Sequence, residues 1–153
     1  MKKTNLFALA AFATLISVVA CKKDHGSSAS ATVASLTGTY QIKSITASGT
    51  VAGVTTPSVD ILSKLDACQK DDLMKLNGDL TANYIDTGII CNPSGNSDGT
   101  WSLSSDNTLQ LSSGFFGFNT GKVKSFDGKT LVITSVQSQN TTTVTQTTTL
   151  TKQ

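Results

Sequence analysis

Residues 68–91 read CQKDDLMKLNGDLTANYIDTGIIC, and the centre of that stretch, Lys75-Leu76-Asn77-Gly78-Asp79-Leu80, decides the fold class. Asn-Gly suits tight β-hairpin turns because both residues tolerate positive φ, which matches the twist of the flanking strands. The run after it alternates, with Leu80, Ala82 and Tyr84 on one face and Thr81, Asn83 and Ile85 on the other. Cys68 stands outside one strand and Cys91 outside the other, so a potential cross-link brackets the predicted hairpin.

The rest of the chain carries the same β signature. Thr, Ser and Gly are abundant, long helix formers are few, and eight of the last thirteen residues are Thr. With 153 residues there is room for one domain behind an N-terminal leader. All ten acidic residues are Asp and all twelve basic ones are Lys; removing a leader that holds Lys2 and Lys3 leaves ten Lys against ten Asp. A formally neutral mature protein without Arg has no basic patch and lacks the usual bidentate reader of phosphate and guanine, which argues against nucleic acid as a partner.

At the N-terminus, Met1-Lys2-Lys3 is a short positive segment and Leu6–Ala20 a mostly apolar one, the pattern of a secretory signal over residues 1–20. Its end, Val18-Val19-Ala20-Cys21, resembles the bacterial lipobox. That resemblance implies that Cys21 becomes the acylated first residue of the mature protein, anchored to a membrane by its lipid chains. Residues 21–35 then read as the acylated cysteine and a flexible tether; about fourteen coil residues span on the order of 20 Å. Lys22 rather than Asp follows the cysteine, which by analogy favours the outer membrane, with periplasmic or surface exposure left open.

From Leu36 onward the alternation predicts eight strands. Gly38–Ile45 forms the first, two come from the bracketed hairpin, and Thr100–Ser104, Thr108–Ser112, Phe115–Phe126, Leu131–Val136 and Thr142–Lys152 follow. Ala47–Thr56 reads as a Gly-punctuated loop. Pro57 with Ile61, Leu62 and Leu65 on one helical face predicts one short helix over 58–66, an edge strand being the competing reading. Gly117 and Gly121 mark bends in a long strand, and Asp127-Gly128 a second hairpin turn. Eight strands joined mostly by short turns favour an antiparallel meander, whose closure would remove exposed edges.

The order Gly38-Thr39-Tyr40, Cys68-Gln69-Lys70-Asp71-Asp72, a cysteine ahead of Asp98-Gly99-Thr100-Trp101, then FDGKTLVIT at 126–134 and a Thr-rich end, resembles the lipocalin-like domain common in lipoproteins of Bacteroidetes. True lipocalins open with Gly-x-Trp, where this chain has Tyr40. The resemblance spans residues 36–153 and implies an all-β, eight-stranded up-and-down barrel; it carries over no settled ligand or activity.

With Cys21 lipidated, Cys68 and Cys91 remain as an even pair in an oxidising compartment, which predicts a structural disulfide. The single His lies at position 25, outside the domain, so hydrolytic Ser/His/Asp and Cys/His arrangements find no imidazole. Asp71-Asp72 reads as a solvated strand entry, because adjacent strand residues face opposite ways. Ser94, Asn96, Asp98 and Gly99 mimic the start of a calcium loop, but the closing Glu is absent and an ordinary turn is the plainer reading. No metal, cofactor or catalytic residue is therefore expected. Tyr40, Tyr84, Trp101, Phe116 and Phe118 are the candidate barrel-lining residues, either filling the interior or holding a small apolar ligand. The pattern fits a monomeric, non-enzymatic, lipid-anchored binding module. The alternative is a filled barrel that recognises an envelope partner or glycan through loops at 49–56 and 92–98.

Overall fold

The computed structural model describes residues 31–153; the leader, Cys21 and most of the tether lie outside the described residues. Helix α1 (Val33–Leu36) leads into β1 (Gly38–Val51), followed by β2 (Val54–Thr55), β3 (Val59–Asp60), α2 (Ala67–Lys70), β4 (Leu73–Leu76) and β5 (Thr81–Ile85). Then come β6 (Ser97–Leu103), β7 (Thr108–Phe115), β8 (Phe118–Phe126), β9 (Thr130–Gln139) and β10 (Thr142–Lys152). Strands β4 to β10 pair antiparallel with their chain neighbours, and β1 bridges β4 and β10. Eight strands thus close into a barrel, and β2 and β3 are two short additions to β1.

The pairing of β1 accounts for those additions. Its start, residues 38–41, pairs with β4, but the rest of that edge runs on beyond β4 toward one end of the barrel. An unpaired edge exposes backbone donors and acceptors. The chain turns back at Ala52-Gly53, both at positive φ, so that Val54–Thr55 pairs with Thr50–Val51 and Val59–Asp60 with Thr46–Ala47. The predicted loop at 47–56 is therefore largely strand.

The predicted helix over 58–66 is replaced by β3, a single 3-10 turn at Leu62–Lys64, and then α2. Val59 is taken by the β1 ladder, and the Ile61 amide donates to the Ile45 carbonyl at 2.8 Å. The Asp60 side chain accepts from the Ser63 amide and the Ser63 hydroxyl donates to the Asp60 carbonyl, local bonds that compete with a continuing helix. Ile61, Leu62 and Leu65 still pack on the core. The predicted long strand at 115–126 is also divided: Phe116-Gly117, both at positive φ, forms the two-residue turn between β7 and β8.

One end of the barrel is plugged. A capping box between Thr32 and Ser35 starts α1, so ordered backbone begins within the stretch expected to be tether, and Leu36 is wholly buried. Tyr40 donates its hydroxyl to the Leu36 carbonyl at 2.7 Å, and Trp101 Nε1 donates to the Asn77 carbonyl at 2.8 Å. Burial pushes the Tyr40 phenol up to about 12. Lys152 donates to the Ser35 carbonyl and lies 5.9 Å from the Tyr40 ring centre and 5.8 Å from that of Phe126. Met74, Leu76, Leu109, Leu131 and Leu150 fill the space behind these groups. At this end the Asn77-Gly78 hairpin forms as predicted, but as a three-residue loop in which Leu80, not Gly78, has positive φ. Leu80 is accordingly exposed instead of sharing the buried face of Ala82.

Candidate functional site

The opposite end stays open. A cavity of about 360 Å³ lies there, lined by Ile45, Ile61, Leu65 and Phe116 as apolar wall and by Gln69, Tyr84, Ser97 and Gln146 as polar points, with Gly95, Gly114 and Gly117 between them. None of these side chains carries a charge. A larger concavity, about 600 Å³, runs along the tip of the β9–β10 hairpin, but it is lined almost wholly by polar residues of that hairpin itself.

Each wall has a local cause. Ile45 is an inward position of β1, and Ile61 and Leu65 are brought over the mouth by the β3 backbone pairing. Gln69 sits on α2, where its Oε1 accepts from the Asp66 amide at 3.1 Å and closes a capping box. Phe116 is carried inward by the β7–β8 turn, at φ 49, a conformation bulky side chains avoid. Its ring meets Tyr84 edge-on with centres 5.6 Å apart, and Tyr84 in turn lies 5.3 Å from Phe115. Gln146 belongs to the inward row of β10 that continues through buried Thr148 and Leu150.

Of the five aromatic candidates, the structure places Tyr84 and Phe116 together at this cavity. Tyr40, Trp101 and Phe118 are buried in the packed interior and do not line it. The barrel is thus filled over one half and hollow at the other. Sequence patterning places Ile61 and Leu65 only on one face of the predicted helix and passes over Ile45, Gln69 and Gln146 as lining residues; the inward parity of Gln146 with Leu150 is the signal that marks it.

Behind Tyr84 stands a carboxylate cluster that holds the 86–96 loop beside the mouth. Asp72 is 1% exposed and Asp86 6%, so the expected solvated strand entry at Asp71-Asp72 is corrected: only the Asp71 side is partly open. Tyr84 donates its hydroxyl to Asp72 Oδ2, and the Thr87 amide reaches Asp72 Oδ1 at 3.4 Å. Asp86 accepts from the Gly95 amide at 2.8 Å and from the Cys91 amide, and its own amide donates to Asn96 Oδ1. Asp71 accepts from the Ile89 amide at 2.8 Å. Gly88, at φ 65, is required here, because a Cβ would stand 2.2 Å from Asp71 Oδ2. A cis peptide precedes Pro93 in the same loop. The Cys68–Cys91 disulfide joins the loop to α2 with Cα atoms 5.2 Å apart, linking residues separated by 23 in sequence, worth about 3 kcal/mol on the chain-entropy account.

These environments push the two buried carboxyls apart. Burial raises Asp72, aided by the negative charges of Asp86 and Asp71 and opposed by the Tyr84 hydroxyl. The Gly95 amide, with that of Cys91, lowers Asp86. Burial, then the bond to Asp72, raises Tyr84, so the phenol stays neutral. Asp72, Asp86 and Cys91 bring potential metal-ligating atoms within 4.8 Å of one another. They fit a metal poorly, since the sulfur is held in the disulfide and the carboxylates already receive protein donors. The calcium-like residues are similarly engaged: Asn96 and Asp98 accept from Asp86 and Asn83, and Ser94 bonds Asn96.

No curated protein and no solved structure matches the chain significantly. Residues 36–152 match the family described as the lipocalin-like domain, nearly the whole of the folded chain, and the protein belongs to that family.

Proposed function

We propose that the protein is a lipid-anchored envelope lipoprotein whose barrel, without catalysing a reaction, binds a small and largely apolar ligand at its open end. The observation that carries this reading is the uncharged cavity of about 360 Å³, within the size range of small-molecule sites and walled by Ile45, Ile61, Leu65, Phe116 and the Tyr84 ring. Anchoring rests on the lipobox-like Val18-Val19-Ala20-Cys21. Because α1 enters β1 at the plugged end, a lipid at Cys21 would leave the mouth on the far side from its own attachment point. That geometry suits capture from the aqueous envelope space.

Native mass spectrometry of the full chain, purified gently from its host envelope, tests the reading. A reproducible adduct of small-molecule mass, released on unfolding and absent in Ile61→Asp, is the expected result. A clean mass for the wild-type protein would turn the interpretation to the rival, an interaction protein working through its rim. The exposed Val51, Val54, Ile89 and Ile90 around the open end are the observation that favours that second reading. Replacing all four by Ser or Thr should then abolish partner capture while leaving thermal stability nearly unchanged.

A further inference from the structure

We propose that the cavity selects neutral ligands that carry an O–H or N–H donor, and that Gln146 Oε1 is the acceptor that reads it; this rests on the ligand-binding reading above. The argument is an inventory of protons. Gln146 Nε2 donates to the Phe116 carbonyl at 2.9 Å and to Thr148 Oγ1 at 3.2 Å, which uses both of its N–H groups. The Thr148 hydroxyl could serve either orientation of the amide, but flipping it would set oxygen against the Phe116 carbonyl, so that carbonyl holds the amide in one sense. Its Oε1 has no protein donor among the described residues. Gly117 leaves the amide uncovered: a Cβ there would lie 3.5 Å from Oε1 and 3.7 Å from Nε2.

Tyr84 and Gln69 are constrained in a similar way, whereas the Ser97 hydroxyl on β6 is free among the described residues to give or accept a hydrogen bond. Tyr84 has spent its proton on Asp72 and can offer the cavity only a lone pair or its ring face. Gln69 Oε1 already accepts from the Asp66 amide, while both of its N–H groups have no partner among the described residues. Acceptors therefore come from β10 and β5, a donor from α2, and either from the Ser97 hydroxyl of β6. With no charge on any lining side chain, nothing offsets the desolvation of an ionic ligand. The ligand class is a compact, mainly apolar, uncharged molecule with a donor toward Gln146, and preferably an acceptor toward Gln69.

The test uses the full chain and two probes of nearly equal shape, 2-naphthol and 2-methoxynaphthalene, titrated calorimetrically at neutral pH. One hydrogen bond, made in one case and left unmade in the other, should favour naphthol by about tenfold. In Gln146→Met that preference should vanish, with naphthol falling to the affinity of its methyl ether. A merely structural role for Gln146, pinning the Phe116 turn, would instead weaken both probes alike and keep their ratio, which overturns the proposal. Equal affinities in the wild-type protein also overturn it while leaving the binding reading intact. Failure of both probes to bind the wild-type protein removes the binding reading itself, and the inference with it.

Discussion

Phe116 is the sharpest place to ask whether the mouth is built for binding at some cost to the fold. A phenylalanine at φ 49 is held where an L-residue costs roughly 1–2 kcal/mol. With Gly117 it occupies a turn whose favoured first residue is Asn. Replacing it by Asn relieves most of that strain. It also loses the edge contact with Tyr84, worth about 0.5–1.5 kcal/mol, and part of a ring that is only partly buried, about 1 kcal/mol more. Phe116→Asn should therefore change stability by no more than about 1.5 kcal/mol either way, while removing an aromatic wall of the cavity. Phe116→Ala loses the same ring but keeps an unfavourable αL residue, so it should be about 1 kcal/mol less stable than the Asn variant. Phe118→Asn, two positions on but 2% exposed, should cost about 3 kcal/mol or more. Urea unfolding of the three variants, with naphthol titration alongside, makes the comparison. If Phe116→Asn is as damaging as Phe118→Asn, or if Asn and Ala at 116 are equally stable, the strain is not there. If probe affinity is unchanged in Phe116→Asn, the ring is not part of a binding wall.

Other perturbations separate the two halves of the barrel. Leu80, 40% exposed at φ 68, should be improved on by Gly: Leu80→Gly is expected to stabilise by about 1 kcal/mol in urea titration, and a loss would mean the side chain packs more than its exposure implies. Trp101→Ala at the plugged end should cost about 3–5 kcal/mol yet leave probe affinity unchanged at temperatures where the variant is folded; a selective loss of binding would tie the two ends together. The carboxylate pair gives a signed pH prediction. Asp72, raised by burial, contributes most to stability below the roughly 3.9 of an unfolded aspartate and loses that contribution as pH climbs through its folded pKa. Asp86, lowered chiefly by the Gly95 amide, contributes above that value and loses it as pH falls through its own depressed pKa. In the window that opens at about pH 4 and runs up through the raised folded pKa of Asp72, Asp72 alone of the pair changes in this way, so Asp72→Asn should gain on the wild-type protein as pH rises across it. Urea midpoints that differ by the same amount at both ends of the window would sink the assignment.

The barrel was legible because its information is local and repeated. Alternating apolar residues and turn dipeptides predict all eight barrel strands and their order, and the Asp127-Gly128 turn falls between β8 and β9. What failed locally failed for tertiary reasons. Residues 58–66 have helical periodicity, yet β1 overshoots β4 and offers an edge that Val59 and Ile61 satisfy. The turn at Phe116-Gly117 was hidden because no propensity scale favours Phe at positive φ. Gln146 across β10, not local preference, holds that carbonyl in place.

The carboxylate cluster depends on the hairpin's actual register. Once the Asn77 hairpin sets Leu76 opposite Ala82 and Met74 opposite Tyr84, the same register carried one step outward sets Asp72 opposite Asp86. Both lie on the parity of buried residues, so two acids facing each other on the inner side follow from the three-residue loop; the two-residue Asn-Gly turn expected from the sequence would set Asp72 opposite Asn83 instead. Reading Asp71 and Asp72 as a solvated pair treats them as neighbours in sequence and misses the partner across the strand. Like charges directly opposite destabilise a sheet unless each has its own compensation. Here the compensations differ, backbone amides for Asp86 and a phenol for Asp72, and each belongs to the mouth: the amides are those of the loop beside it, and the phenol is its aromatic wall. The cluster is thus best understood as the mount that fixes Tyr84 and Gly95 around an open cavity. It puts charge next to a binding site without putting charge in it.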